Sequence, residues 1–204
     1  MRILYLHGFA SGPTSGKAQY FKRRFAERGI ELEVPNLVEG DFENLTISGQ
    51  LEVIERIAAR EPVALMGSSM GGYLAALYAS TRPEVSKLVL MAPAFYFPER
   101  WETGQWKETG RLEVFHYAEN RNRYVGWGLM EDAMNYNPAP DFQQPALIFH
   151  GTDDTVVPAA YSEEFAATHP NVTLRLLKSD HQLNDVRDVM WAETINFLLP
   201  DAAC

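Results

Sequence analysis

Two serines stand side by side in the stretch VALMGSSMGGYLAAL, residues 63–77, and only Ser69 occupies the centre of a G-x-S-x-G pattern, here Gly67, Ser68, Ser69, Met70 and Gly71. The pattern has a mechanism. A buried strand that reverses sharply into a helix holds the central residue in a strained backbone conformation, and its neighbours must be small because strand and helix approach closely. PVALM before it and GYLAALYAS after it supply the strand and the helix. Ser69 is therefore the candidate nucleophile, with Ser68 as a neighbouring brace. A short pattern of this kind also describes a glycine-rich turn with a helix-capping serine, so its partners must decide.

A serine hydroxyl needs a base, and the base needs an orienting acid. Behind such an elbow they arrive later in the chain, at the ends of subsequent strands, in the order serine, acid, histidine. LIFHGTDDTVVP offers the acid and LLKSDHQLND the histidine. The spacing H-G-x-x-D-x-x-V-P, common after this strand in hydrolases with such an elbow, falls on His150, Gly151, Asp154, Val157 and Pro158. It selects Asp154 and leaves Asp153 to cap or brace the turn. His181 alone follows the last strand and precedes the last helix. His116, His150 and His169 are read as structural or solvated. An oxyanion formed at Ser69 would need preorganised donors, each worth on the order of 3 kcal/mol in the transition state. The backbone N–H of Met70 and that of Phe9, which LHGF places in the loop after the first strand, are the expected pair, with His7 and Gly8 shaping that loop.

Short apolar runs alternating with amphipathic stretches must position these groups, which is the mark of βα units on a parallel sheet. The expected strands are 2–7, 31–36, 62–67, 87–92, 146–151 and 172–177, all buried on both faces or nearly so. Between them, Ala18, Phe21 and Phe25 share one helical face, Ile47, Leu51, Ile54 and Ala58 another, and Trp191, Ile195 and Leu198 a third, behind an Asn184 cap. Residues 95–142 break the rhythm. They show no clear strand, yet they hold roughly half of the aromatics and all but one of the tryptophans. We read them as a partly helical cap inserted after the fourth strand of a single domain spanning 1–204. Phe95, Trp101, Trp106 and Trp127 are its candidate substrate contacts; the alternative is that these rings pack the cap onto the sheet.

The 204 residues are 46% hydrophobic and 22% charged, as in a globular protein, and no run of ~20 apolar residues could span a bilayer. A formal net charge of −9 argues against a phosphate-neutralising nucleic-acid surface, and Lys22, Arg23 and Arg24 read as a solvated helix face. MRILYLHGF reads as a strand and not as a secretory leader, which favours the cytoplasm. Cys204 is the single cysteine, so no intramolecular disulfide is expected. The expected chemistry calls for no metal or organic cofactor. Oligomeric state is not legible.

With HGF, GSSMGG, HGTDDTVVP and DHQ in this order, the chain resembles the α/β-hydrolase superfamily over essentially its full length. The expected fold is a minimal version, a mostly parallel six-stranded sheet with helices on both faces and the aromatic-rich cap. YLHGFASGPTSGKA together with MGSSMGG resembles the YqiA-like small bacterial esterases. That resemblance implies a cytoplasmic serine hydrolase of small-molecule carboxylic esters or thioesters. Ser69, Asp154 and His181 would be its triad, and Phe9 and Met70 its oxyanion hole. Two other readings are an acyltransferase or carbon–carbon bond hydrolase on the same triad, and a hydrolase-fold protein that binds a small ligand without turnover.

Overall fold

Alternation along the first strand already sorts the core into two layers. Leu4 and Leu6 join one apolar cluster and Ile3 and Tyr5 the other, because successive side chains of a strand point to opposite faces. The computed structural model describes residues 2–101 and 103–200, so the Cys204 thiol lies outside the described residues. In chain order the first elements are β1 (Arg2–Leu6), α1 (Gly16–Ala26), β2 (Leu32–Glu33), α2 (Ile47–Ala58), β3 (Val63–Ser68), α3 (Met70–Ser80) and β4 (Val85–Met91). An insertion follows, with α4 (Gly104–Thr109), β5 (Arg111–His116), β6 (Arg121–Gly126) and α5 (Gly128–Ala133). The chain then returns through β7 (Ala146–Gly151), α6 (Ala159–Thr168), β8 (Val172–Leu177) and α7 (Arg187–Leu198).

Six strands form one parallel sheet in the order β2-β1-β3-β4-β7-β8. Phe21 and Phe25 of α1 and Trp191 and Ile195 of α7 cover one face, with Phe25 edge-on to Trp191 at 4.9 Å between ring centroids. Ile54 of α2, Leu74 of α3 and Phe165 of α6 cover the other. Burying each such side chain contributes about 1.5–3 kcal/mol.

The edges of the sheet depart from the expected two-sided burial. β2 is two residues long, and on β8 Thr173, Arg175 and Leu176 are exposed, since an edge strand has one neighbour and α6 packs along it on one side. The start of α7 also differs from expectation. Its N-cap is Val186, without a side-chain capping bond, while the Asn184 carbonyl accepts from Arg187 Nε at 2.8 Å.

The insertion contains an antiparallel hairpin that the sequence reading did not anticipate. β5 and β6 pair from Arg111↔Gly126 to His116↔Arg121. Leu112, Val114 and His116 face inward and Arg111, Glu113 and Phe115 face out, so interleaved charges conceal a strand that is half solvated. Two backbone bonds hold this hairpin over the carboxyl ends of the sheet strands: Tyr117 N–H to the Ala10 carbonyl and Gly126 N–H to the Glu43 carbonyl, each 2.8 Å.

Candidate active site

Between β3 and α3 the backbone at Ser69 takes φ 53° and ψ −118°, a region that costs a non-glycine residue about 1–3 kcal/mol. Four backbone bonds hold it there. The Ser69 N–H donates to Met91 at 2.9 Å, and its carbonyl accepts from Gly72 at 2.9 Å, Ala94 at 3.0 Å and Tyr73 at 3.1 Å. The small neighbours have a packing reason. A Cβ on Gly67 would strike the backbone of Gly71, and one on Gly71 would strike the Leu6 carbonyl of β1.

Past the end of β7, Asp154 is enclosed by four donors. Its Oδ1 accepts the backbone N–H groups of Val156 and Val157, both at 2.8 Å. Its Oδ2 accepts His181 Nδ1–H at 2.7 Å and lies 3.2 Å from His150 Nε2. Burial alone would raise the carboxyl's pKa, but the hydrogen bonds from His150, His181 and Val157 outweigh it and hold the group well below the usual carboxylate range. Asp153 is exposed and contributes its N–H to the Ser179 carbonyl. With Nδ1–H committed to Asp154, neutral His181 keeps Nε2 free to take a proton.

His150 is fully buried, and its neighbours assign its tautomer. Nε2 faces two acceptors, Asp154 and the Val157 carbonyl at 2.8 Å, so it carries the proton; Nδ1 then accepts the Ser162 hydroxyl at 2.7 Å. Sequence reasoning took this histidine as structural, and the structure adds a bond to the candidate acid. His7 is fixed by the same logic. Its Nε2 accepts the Leu37 N–H at 3.2 Å, so Nδ1–H donates to the Gly8 carbonyl at 3.0 Å, bracing the loop that carries Phe9. Burial lowers its pKa and keeps it neutral. His116 and His169 are packing residues, edge-on to Phe42 and stacked on Phe165.

Ser69 and His181 line one cavity of about 630 Å³, together with Ser68, Phe9 and Trp101, a volume suited to a small molecule. Asp154 lies behind His181. The Met70 side chain is buried and off the cavity wall. The N–H groups of Phe9 and Met70 have no backbone acceptor among the described residues. The four candidate aromatic contacts separate. Trp101 reaches the cavity, whereas Phe95 is buried and stacked on Phe165 at 4.1 Å, and Trp106 and Trp127 pack edge to face at 5.8 Å inside the insertion. Phe95 thus packs onto α6 outside the insertion, and the two tryptophans pack on each other within it. The apolar wall is instead built by Phe9, Trp101, Val114, Phe115, Tyr117 and Val156, and the polar wall by the loop entering α1. Val114 and Phe115 were missed with their strand.

Residues 2–198 match the model of an uncharacterised protein family, UPF0227. Solved structures agree on the fold. A candidate hydrolase from Agrobacterium vitis S4 is 25% identical with a TM-score of 0.80, over 95% of this chain and 86% of that one. Alpha/beta hydrolase domain-containing protein 10 from mouse is 21% identical with a TM-score of 0.81, over 98% and 90%. Est1E from Butyrivibrio proteoclasticus is 18% identical with a TM-score of 0.78, over 99% and 88%. The sheet, the elbow and these likenesses make the fold that of the α/β hydrolases.

Proposed function

The chain belongs to the uncharacterised protein family UPF0227, and we propose that it is a serine hydrolase cleaving small-molecule carboxylic esters or thioesters through Ser69, His181 and Asp154. The observation that carries this reading is the convergence at one cavity of a strained elbow serine and a histidine whose Nδ1–H is bonded to a buried, ionised carboxylate. His181 Nε2 removes the Ser69 proton as Oγ attacks the substrate carbonyl, and Asp154 holds the tautomer and stabilises the imidazolium. The N–H groups of Met70 and Phe9 receive the oxyanion. Collapse of the tetrahedral intermediate expels the alcohol or thiol with the proton from His181, and water then repeats the cycle on the acyl enzyme. Trp101 and the hairpin residues Val114 and Phe115 contact the apolar part of the substrate. No helix among the described residues is long and apolar enough to cross a membrane; the esterase resemblance supports the cytoplasm as its location.

Hydrolysis of a short-chain 4-nitrophenyl ester tests the nucleophile. Ser69→Ala should lose nearly all turnover, roughly 10⁴-fold or more by analogy with other triads, while Ser68→Ala keeps much of it. A fluorophosphonate should label one peptide, that containing Ser69. Parent-like turnover in Ser69→Ala, or labelling only elsewhere, would remove the assignment.

A further inference from the structure

The cavity wall is anomalous for a chain of formal net charge −9. Among the described residues, no aspartate or glutamate lines it, and Lys17 is the one lysine or arginine that does. Lys17 is 8% exposed, and among the described residues its ammonium has neither an ion-pair nor a hydrogen-bond partner. It lines the same cavity as His181, with Asp154 and Asp180 near enough to favour its charged form and Arg187 near enough to oppose it. Burying a cation without a partner costs free energy, so a fold that keeps one beside a cavity calls for a reason.

The surroundings of Lys17 supply donors in the same place. Lys17 is in the first turn of α1, where the N–H groups of Gly16 and Lys17 have no backbone acceptor among the described residues. That turn holds no acidic residue, and Ser15 at the N-cap makes no side-chain capping bond. Ser11, Thr14 and Ser15 add hydroxyls to the same wall. A helix entrance offers positive partial charge and directed N–H groups to an anion; here an unpartnered ammonium joins it inside a cavity.

We infer that the entrance of α1 is an oxoanion subsite of this cavity, so that the ester or thioester it takes carries a carboxylate or phosphate group bound by Lys17 and the Gly16 and Lys17 amides. This rests on the hydrolase reading above. The substrate is then two-ended. Its apolar part lies against Trp101, Val114 and Phe115, its anionic group against α1, and its scissile carbonyl between them at Ser69.

Calorimetric titration of the parent with succinate and with inorganic phosphate tests the subsite without turnover. At least one should bind, and the tighter of the two tells carboxylate from phosphate. Lys17→Met should weaken that binding by about tenfold or more, with Lys17→Arg retaining a larger share; Lys17→Gln serves if Lys17→Met does not fold. In turnover, the ratio of kcat/KM for 4-nitrophenyl hemisuccinate over 4-nitrophenyl butyrate should fall by a similar factor. Binding of neither oxoanion to the folded parent, or binding unchanged without Lys17, overturns the subsite. If neither ester is cleaved while an oxoanion still binds through Lys17, the hydrolase reading fails and the subsite stands.

Discussion

Asp154 has more hydrogen-bond partners than the orienting of one imidazole requires, and they explain why the motif H-G-x-x-D-x-x-V-P was readable. His150 and Val157 are two of its fixed positions, and both donate to the carboxylate. The spacing therefore encodes a built carboxylate cradle, which is why it separated Asp154 from Asp153. His150 was legible as a motif position but not as a donor, because a tautomer depends on neighbours such as Ser162 that lie outside the motif. Asp154→Asn should lower kcat by about 10⁴, since the amide cannot hold the same tautomer. Because the folded pKa of Asp154 lies below its unfolded value, its ionised form stabilises the fold above the ordinary carboxylate pKa, and that contribution is lost as pH falls through the folded value. The stability gap between the parent and Asp154→Asn in urea should therefore be larger at about pH 6 than at about pH 3. A gap that stays constant would mean the carboxylate is not held by these bonds.

At the scale of elements, the elbow and the hairpin show opposite sides of what a sequence displays. The elbow was legible because its constraint is steric and local: β3, Ser69 and α3 are contiguous, and Gly67 and Gly71 mark where their backbones meet. The hairpin was hidden because charged residues such as Arg111, Glu113 and Arg121 interrupt its apolar ones and its partners are remote, Ala10 and Glu43 among them. The cap aromatics misled for a related reason. Phe95, Trp106 and Trp127 are committed to packing, and a ring's composition does not say which surface it meets. The steric argument can be tested by contrast. Gly71→Ala forces a Cβ against the backbone of β1 and should destabilise by about 3 kcal/mol or prevent folding, whereas Gly128→Ala, which meets nothing within 4 Å, should change stability by less than about 1 kcal/mol. Thermal or urea unfolding of the two variants measures the difference, and equal tolerance would contradict the close approach of β1 and α3.

Over the whole molecule, the parallel sheet could be read from its apolar runs because the two-layer core repeats along every central strand, as Leu4 and Leu6 against Ile3 and Tyr5 illustrate. The cavity could not, since Lys17, Trp101, Val114 and His181 come from four distant segments that only the fold brings together. Its single ammonium carries a cost that can be measured. Burial lowers the Lys17 pKa from 10.5 to about 8, against the raising effect of Asp154 and Asp180 and with a further lowering by Arg187. The folded pKa is below the unfolded one, so the charged lysine destabilises the fold fully below about pH 8, and the penalty fades as pH rises toward 10.5. Lys17→Met should thus be more stable than the parent at neutral pH, by roughly 1–3 kcal/mol, with the gap narrowing above pH 8. The same titration should govern selectivity. Because kcat/KM reports the free enzyme, the preference for an anionic over a neutral ester should be flat below about pH 8 and decline above it as the charge is lost. A protein that gives up stability to keep this cation should show both effects in the same pH window. Selectivity that fell while the stability gap stayed fixed would assign the titration to another group.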